Sequence, residues 1–330
     1  MKELIKTLVE SYGPSGYEEQ VREIIENLAR EKADDIRTDA LGNLIVLKKG
    51  TGGGKRVMVA AHMDEIGVMV HYVDSNGFLR FGTIGGVSPR TVVGARVRFA
   101  DGTIGVIGLE KWLQTSDQPT WDRLFIDVGA TSPQDSPIKV GDAAVFVQPF
   151  VDMGNRMVAK SMDDRVGCAI ALQTLLEMDA SPNDVYFVFT SQEEVGTRGA
   201  AVSSFGIDPD VAIAIDVTPT ADTPEGRPMP VVLGKGPAVK VKDYGMLAHP
   251  AVKDWMIETA ENAGIPYQIE VLELGSTDAR AMQVSRAGMP AGCLSVPCRY
   301  VHTPSEMVEY EDVLNSVRLL RAMLSNEITL

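Results

Sequence analysis

VMVAA, residues 57–61, is too short and too β-branched at its start to favour a helix, and it stops at His62-Met63-Asp64. The same event recurs along the chain. VYFVFT (185–190) runs into Ser191-Gln192-Glu193-Glu194, VAIAI (211–215) into Asp216, and AGCLSVPCRYV (291–301) into His302. AKSMDDRVG (159–167) sets Asp163 and Asp164 just before a helical run. Solvated surface acids have no reason to follow apolar strands. Five segments therefore point to one carboxyl-terminal sheet edge, the place where open α/β sheets build their sites.

The rest of the chain supports such a sheet. Helical spacing at Leu4–Leu8 and Tyr17–Leu28 is broken by GPSG (13–16), and LGNLIVLKKG reads as a strand. GTGGGK (50–55) lacks the phosphate-loop spacing and the Ser/Thr after Lys55, so it reads as a turn. From Gly67 to about Val151 the texture is all-β: VMVHYV, FLRFG, RVRFA, IGVIG, LFIDVG and AAVFV, separated by turn residues. Alternation then returns, with helices predicted over 165–178, after Gly196, over 252–263, after Ser276 and over 311–324. Strands are predicted at VYFVFT, VAIAID, YQIEVLE and AGCLSV. The predicted fold is α/β, a mostly parallel sheet with helices on both faces. The opening strand must join that sheet, so residues 67–155 form an inserted β-rich unit, and 1–66 with 156–330 form the main domain. The insert starts after one polar strand end and returns before another, which predicts a role outside the chemistry.

Charge and cysteine content narrow the chemistry. With 45 acidic against 31 basic residues the net charge is −14, which argues against nucleic acid and anionic membranes as partners. No apolar run approaches the ~20 residues of a membrane span, and the first residues carry acids too early for a signal peptide. Three cysteines without a Cys-x-x-Cys pair fit a reducing cytoplasm and no thiolate zinc site. Histidines and carboxylates without thiolates suit zinc, cobalt or manganese at a hydrolytic centre. More than four donors suit two ions ~3.5–4 Å apart, sharing a bridging carboxylate and a water. Of the adjacent Glu193 and Glu194, one can bind metal while the other faces the water. A glycosidase would use two carboxylates and leave His62 and His302 unexplained, and a closed structural zinc site would leave an acid to spare. His71, His249, Met63, Met246 and Met282 match no motif and read as structural.

GPSGYE (13–18), AHMDEIG (61–67), MDDRVG (162–167), SQEEVGTRGA (191–200), AIDVT (214–218) and RYVHTPSEMV (299–308) occur in that order. Together they resemble the tetrahedral or deblocking aminopeptidases of metallopeptidase family forty-two, nearly end to end. That family includes glutamyl and leucyl aminopeptidases and some relatives labelled endoglucanases. The resemblance implies a dinuclear-zinc exopeptidase domain interrupted by a β-rich dimerisation domain, with homodimers assembling into a tetrahedral dodecamer. It implies two divalent transition-metal ions per subunit: His62 and Asp216 on one, Glu194 and His302 on the other, Asp163 bridging. Glu193 would be the general base, Asp64 would orient the His62 ring, and Asp164 would belong to the turn beside the bridge. The substrates implied are short peptides. One departure bears on substrate preference: a loop usually reading Gly-Gly-Thr-Asp-Ala-Gly is here Gly275-Ser276-Thr277-Asp278-Ala279-Arg280.

Overall fold

The structure is a computed structural model that describes residues 1–111 and 118–330. Two helices with one apolar face each, α1 (Lys2–Glu10) and α2 (Glu19–Ala29), precede a hairpin of β1 (Asp35–Thr38) and β2 (Leu44–Lys48). β3 (Arg56–His62) then delivers the chain into an insert with six strands among its described residues. These are β4 (Gly67–Val73), β5 (Leu79–Ile84), β6 (Arg96–Phe99), β7 (Ile104–Leu109), β8 (Leu124–Asp127) and β9 (Ala143–Phe146), with a one-turn helix α3 (Pro89–Val92) after β5. They close into a barrel in the order β4-β5-β8-β7-β6-β9 around Val68, Phe81, Val97, Ile107 and Ile126. Closure removes the exposed strand edges that a small open sheet would present.

β10 (Val151–Asp152) and β11 (Arg156–Ala159) bring the chain back to the large sheet, where β11 pairs with β17 (Glu306–Glu309). Between them come α4 (Met162–Glu177), β12 (Asp184–Thr190), α5 (Arg198–Ile207), β13 (Val211–Pro219), β14 (Ala238–Lys242), α6 (Pro250–Ala263), β15 (Gln268–Val271), α7 (Ala279–Gln283) and β16 (Ala291–Arg299), and α8 (Tyr310–Leu324) closes the chain. Asp163 and Asp164 are non-helical, so the regular turns of α4 begin after them, as the sequence predicts.

The large sheet runs β1-β2-β12-β3-β13-β16-β17-β11-β10, with β14 and β15 branching from β16. The expectation of a mostly parallel sheet is corrected here. Only β12, β3, β13 and β16 form a parallel centre, and β14 runs parallel to β15. Both flanks are antiparallel, so the sheet is mixed. The reason is connection length. Parallel neighbours need a crossover of a dozen or more residues, whereas the β1–β2, β10–β11 and β16–β17 links are short turns that only antiparallel strands can use. β3 shows how the centre is covered on both sides. Val57, Val59 and Ala61 pack with α1, α2, α4, α6 and α8, while Met58 and Ala60 pack with α5 and α7. No helix among the described residues is long and apolar enough to cross a membrane.

Candidate active site

The parallel centre splays open at its carboxyl end. β13 pairs with β3 only as far as Ala214 opposite Ala60, two residues short of Asp216 and His62. β13 itself continues to Pro219, so Asp216 lies within the strand and not at its end as the sequence suggested. Past this gap an open cavity of roughly 490 Å³ is lined by Asp163, Glu193, Glu194, Asp216 and His302 among others.

Asp163 is the centre of the cluster. Its Oδ1 lies 3.0 Å from His62 Nε2, and its Oδ2 lies 3.3 Å from His302 Nε2. His302 Nε2 is also 3.3 Å from Glu194 Oε2. Donor atoms of His62, Asp163 and Glu194 lie within 4.8 Å of one another, as do those of His62, Asp164 and Asp216. The structure therefore brings all five expected ligand residues together, with Asp164 beside them. Asp164 Oδ2 accepts the main-chain N–H of His62.

The two rings are held alike. His62 Nδ1 is 3.0 Å from the carbonyl oxygen of Asp64, and His302 Nδ1 is 3.1 Å from that of Gly86. A carbonyl can only accept, so Nδ1 carries hydrogen in both rings and Nε2 is the nitrogen turned toward Asp163. Gly86 belongs to the insert, in the loop that follows β5. A Cβ there would stand 2.4 Å from His302 Nδ1, and one on neighbouring Gly85 would stand 2.8 Å from Glu194 Oε2. The insert is thus not wholly outside the chemistry, contrary to the expectation from its entry and exit points.

The Asp64 carboxylate has a wider job than orienting a ring. Its Oδ1 is 3.5 Å from His62 Nδ1, farther than its own carbonyl. Its oxygens accept the main-chain N–H groups of Glu193 (2.9 Å) and Glu194 (3.1 Å) and the Ser15 hydroxyl (2.6 Å). Glu18 accepts the N–H of Gln192 at 3.1 Å. GPSGYE, a helix break in the sequence and the first of the motifs that carry the family resemblance, is the brace behind the glutamate pair. Behind it, buried Glu65 pairs with Lys160 (2.6 Å) and Arg165 (3.2 Å). Ser161, Gln192 and His302 all hold left-handed backbone without being glycine, a cost of about 1–3 kcal/mol each that tertiary contacts must offset. His71 is exposed on β4 and His249 caps α6; neither joins the cluster. Met63, Met246 and Met282 are buried among apolar side chains.

Electrostatically the cluster is short of positive charge. Burial, with the neighbouring acids, pushes the Glu193, Glu194 and Asp216 carboxyls above the usual carboxylate range. Burial pushes Asp278 up to about 6, although Thr190 donates to it. Asp163 goes the other way: burial is outweighed by hydrogen bonds from His302 and His62, which hold it low. Against burial, the Glu194 and Asp163 carboxylates push His302 up to about 12. Glu194 Oε1 is buried with no hydrogen-bond partner. An orphaned carboxylate oxygen and a nitrogen-and-oxygen donor set fit hard or borderline divalent cations. Beyond the ligands the wall carries Leu272, Leu274 and Val301, then Arg227 and Arg280. Ser276 turns its hydroxyl to Asp243 at 3.0 Å.

Two histidines, a central carboxylate and a free glutamate at the open edge of an α/β sheet define a hydrolase with a candidate metal centre. Comparison with known proteins gives the family. Residues 42–319 match the M42 glutamyl aminopeptidase model, and the chain belongs to that family, a hydrolase of the aminopeptidase class. It is 45% identical to a putative aminopeptidase of Acetivibrio thermocellus, with 97% of each chain covered. Its fold matches that of an aminopeptidase from the archaeon Desulfurococcus kamchatkensis, with TM-score 0.94 and 40% identity over 98% of this chain and 94% of that one. The TET1 peptidase of Pyrococcus horikoshii, which can assemble into a tetrahedron or a large octahedral shell, matches with TM-score 0.87 and 33% identity over 99% of both chains.

Proposed function

We propose that this chain removes the amino-terminal residue from short peptides with two divalent transition-metal ions. His62 and Asp216 would hold one, Glu194 and His302 the other, and Asp163 would lie between them. The observation that carries this reading is Asp163 itself, whose two oxygens each face a different imidazole Nε2. Such ions, when bound, supply Lewis-acid polarisation of the scissile carbonyl and activation of water near neutral pH. Zinc suits the donors, with cobalt or manganese as alternatives.

The chain's own residues do the rest. Glu193, partly buried and with raised proton affinity, takes the proton of the attacking water and returns it to the leaving amine. Asp64 fixes its main chain, and the Asp64 and Gly86 carbonyls fix the two rings. Leu272, Leu274 and Val301 receive the first side chain of the peptide. Self-association through the barrel, as homodimers that build a tetrahedral dodecamer, would restrict the cavity to short, unfolded peptides. The tetrahedral and octahedral shells of the TET1 relative support this reading.

The test is cleavage of leucyl and glutamyl anilides with and without a chelator, beside a carboxymethylcellulose assay. Anilide cleavage should stop with the chelator and return with zinc or cobalt, and cellulose should stay intact. Chelator-insensitive cleavage, or cellulose hydrolysis, would contradict it.

A further inference from the structure

Glu306 opens β17 and is 1% exposed. Each of its oxygens accepts one main-chain N–H: Oε2 that of Asp163 at 2.9 Å, Oε1 that of His302 at 2.8 Å. These are the two residues whose side chains meet at 3.3 Å. They reach that meeting from different places, Asp163 on the passage from β11 to α4 and His302 in the turn between β16 and β17. β17 pairs with both β11 and β16, so Glu306 stands between the strands that deliver them. His302 also holds φ of +62°, a conformation that a side chain with a Cβ keeps only when its surroundings hold it.

We propose that Glu306 is the positioning residue of one ion site, a two-oxygen clamp that fixes Asp163 against His302 so that these residues and Glu194 are preorganised for a divalent cation. This rests on the two-ion reading above. A carboxylate is the only side chain of this length that can accept both N–H groups. In Glu306→Gln the amide nitrogen must face one of them, donor against donor, and one link is lost. Glu306→Asp keeps the charge but is a methylene too short to span both.

A second clamp in the molecule provides the control. Asp312, also 1% exposed, accepts the N–H groups of Gly234 and Gly236, both at 2.7 Å, and holds a different loop. It has the same chemistry without a histidine.

Ion-free protein would be titrated with Co²⁺ and with Zn²⁺ by calorimetry against a competing chelator, with the melting temperature of each ion-free variant measured alongside. Wild type should take up two ions in two steps. Glu306→Gln should weaken the step that depends on His302 roughly 10–100-fold, the usual effect of losing an outer partner of a metal ligand, and weaken the other step, which shares only Asp163, clearly less. His302→Ala should abolish that same step. Asp312→Asn should leave both steps unchanged. If Glu306→Gln does not fold, Glu306→Asp should show the same unequal loss. Two unchanged steps would overturn the clamp alone, as would equal weakening of both steps with a lowered melting temperature. Wild type with fewer than two steps would overturn the two-ion reading, and the clamp with it.

Discussion

The barrel and the sheet that it interrupts are built on opposite rules. Among the described residues, no buried polar or charged side chain lies between Gly67 and Phe146. The barrel interior is aliphatic and aromatic, and its charges face outward. The α/β half buries His62, Asp64, Glu65, Asp163, Asp164 and Asp216 within one region, several of them with displaced proton affinities. Burying an unpaired polar group costs about 2–7 kcal/mol, so a chain concentrates such groups only where chemistry requires them. The comparison separates a unit that contributes stability and surface from one that carries reactivity. They meet at Gly85 and Gly86, where the loop after β5 touches Glu194 and His302.

The contrast is sharpest at Glu193. Glu193→Gln keeps shape but cannot accept a proton, so turnover should fall roughly 10²–10⁴-fold while ion content is unchanged. If its ions were lost instead, the roles of Glu193 and Glu194 would be reversed. The matching change in the barrel is Phe81→Ala. Phe81 is buried and stacks edge-on against Trp121, with ring centroids 6.1 Å apart. Its loss should cost about 3–5 kcal/mol of stability, read by denaturant unfolding, yet leave turnover per folded molecule within about threefold. A large loss of turnover in protein that remains folded would break the division of labour.

Gly86→Ala probes the junction. A methyl group there displaces the His302 ring, so activity and occupancy of its ion should fall roughly 10–100-fold, with barrel circular dichroism unchanged. The smallest effect expected is on pH dependence. Asp278 titrates at about 6 in the fold against an ordinary 3.8, so the folded state binds this proton more tightly than the unfolded chain. That stability is fully present below about pH 4 and is lost as pH rises through 6. His302, pushed up to about 12 from an ordinary 6.5, contributes a constant amount across this window. Chelated protein should therefore lose several degrees of melting temperature between roughly pH 4 and 6, and added zinc should remove the slope. A flat profile would show that the acids are not crowded as described.

Sequence revealed the strands that are apolar throughout. β3, β12, β13 and β16 are buried on both faces, so each reads as an apolar run with an abrupt polar end. Of the flanking strands β2 was legible as LIVLK, but β1, β11 and β17 were not. β1 is DIRT, β11 is RMVA and β17 is EMVE; they are short and carry charge, and without them the sheet reads as parallel. The residues that hold the site were equally hidden, because they act through hydrogen bonds between distant segments. Ser15 reaches Asp64 across 49 positions, and Glu306 reaches Asp163 across 143. The available signals were slight: a second acid four residues after His302, and a glycine pair ending a strand.

The most direct test of the α/β half's role is anomalous diffraction from crystals of the zinc- or cobalt-loaded protein. Two peaks per chain should appear, roughly 3.5–4 Å apart, with one Asp163 oxygen on each and His62 and His302 on different ions. A single peak, or two peaks without Asp163 between them, would contradict the two-ion centre.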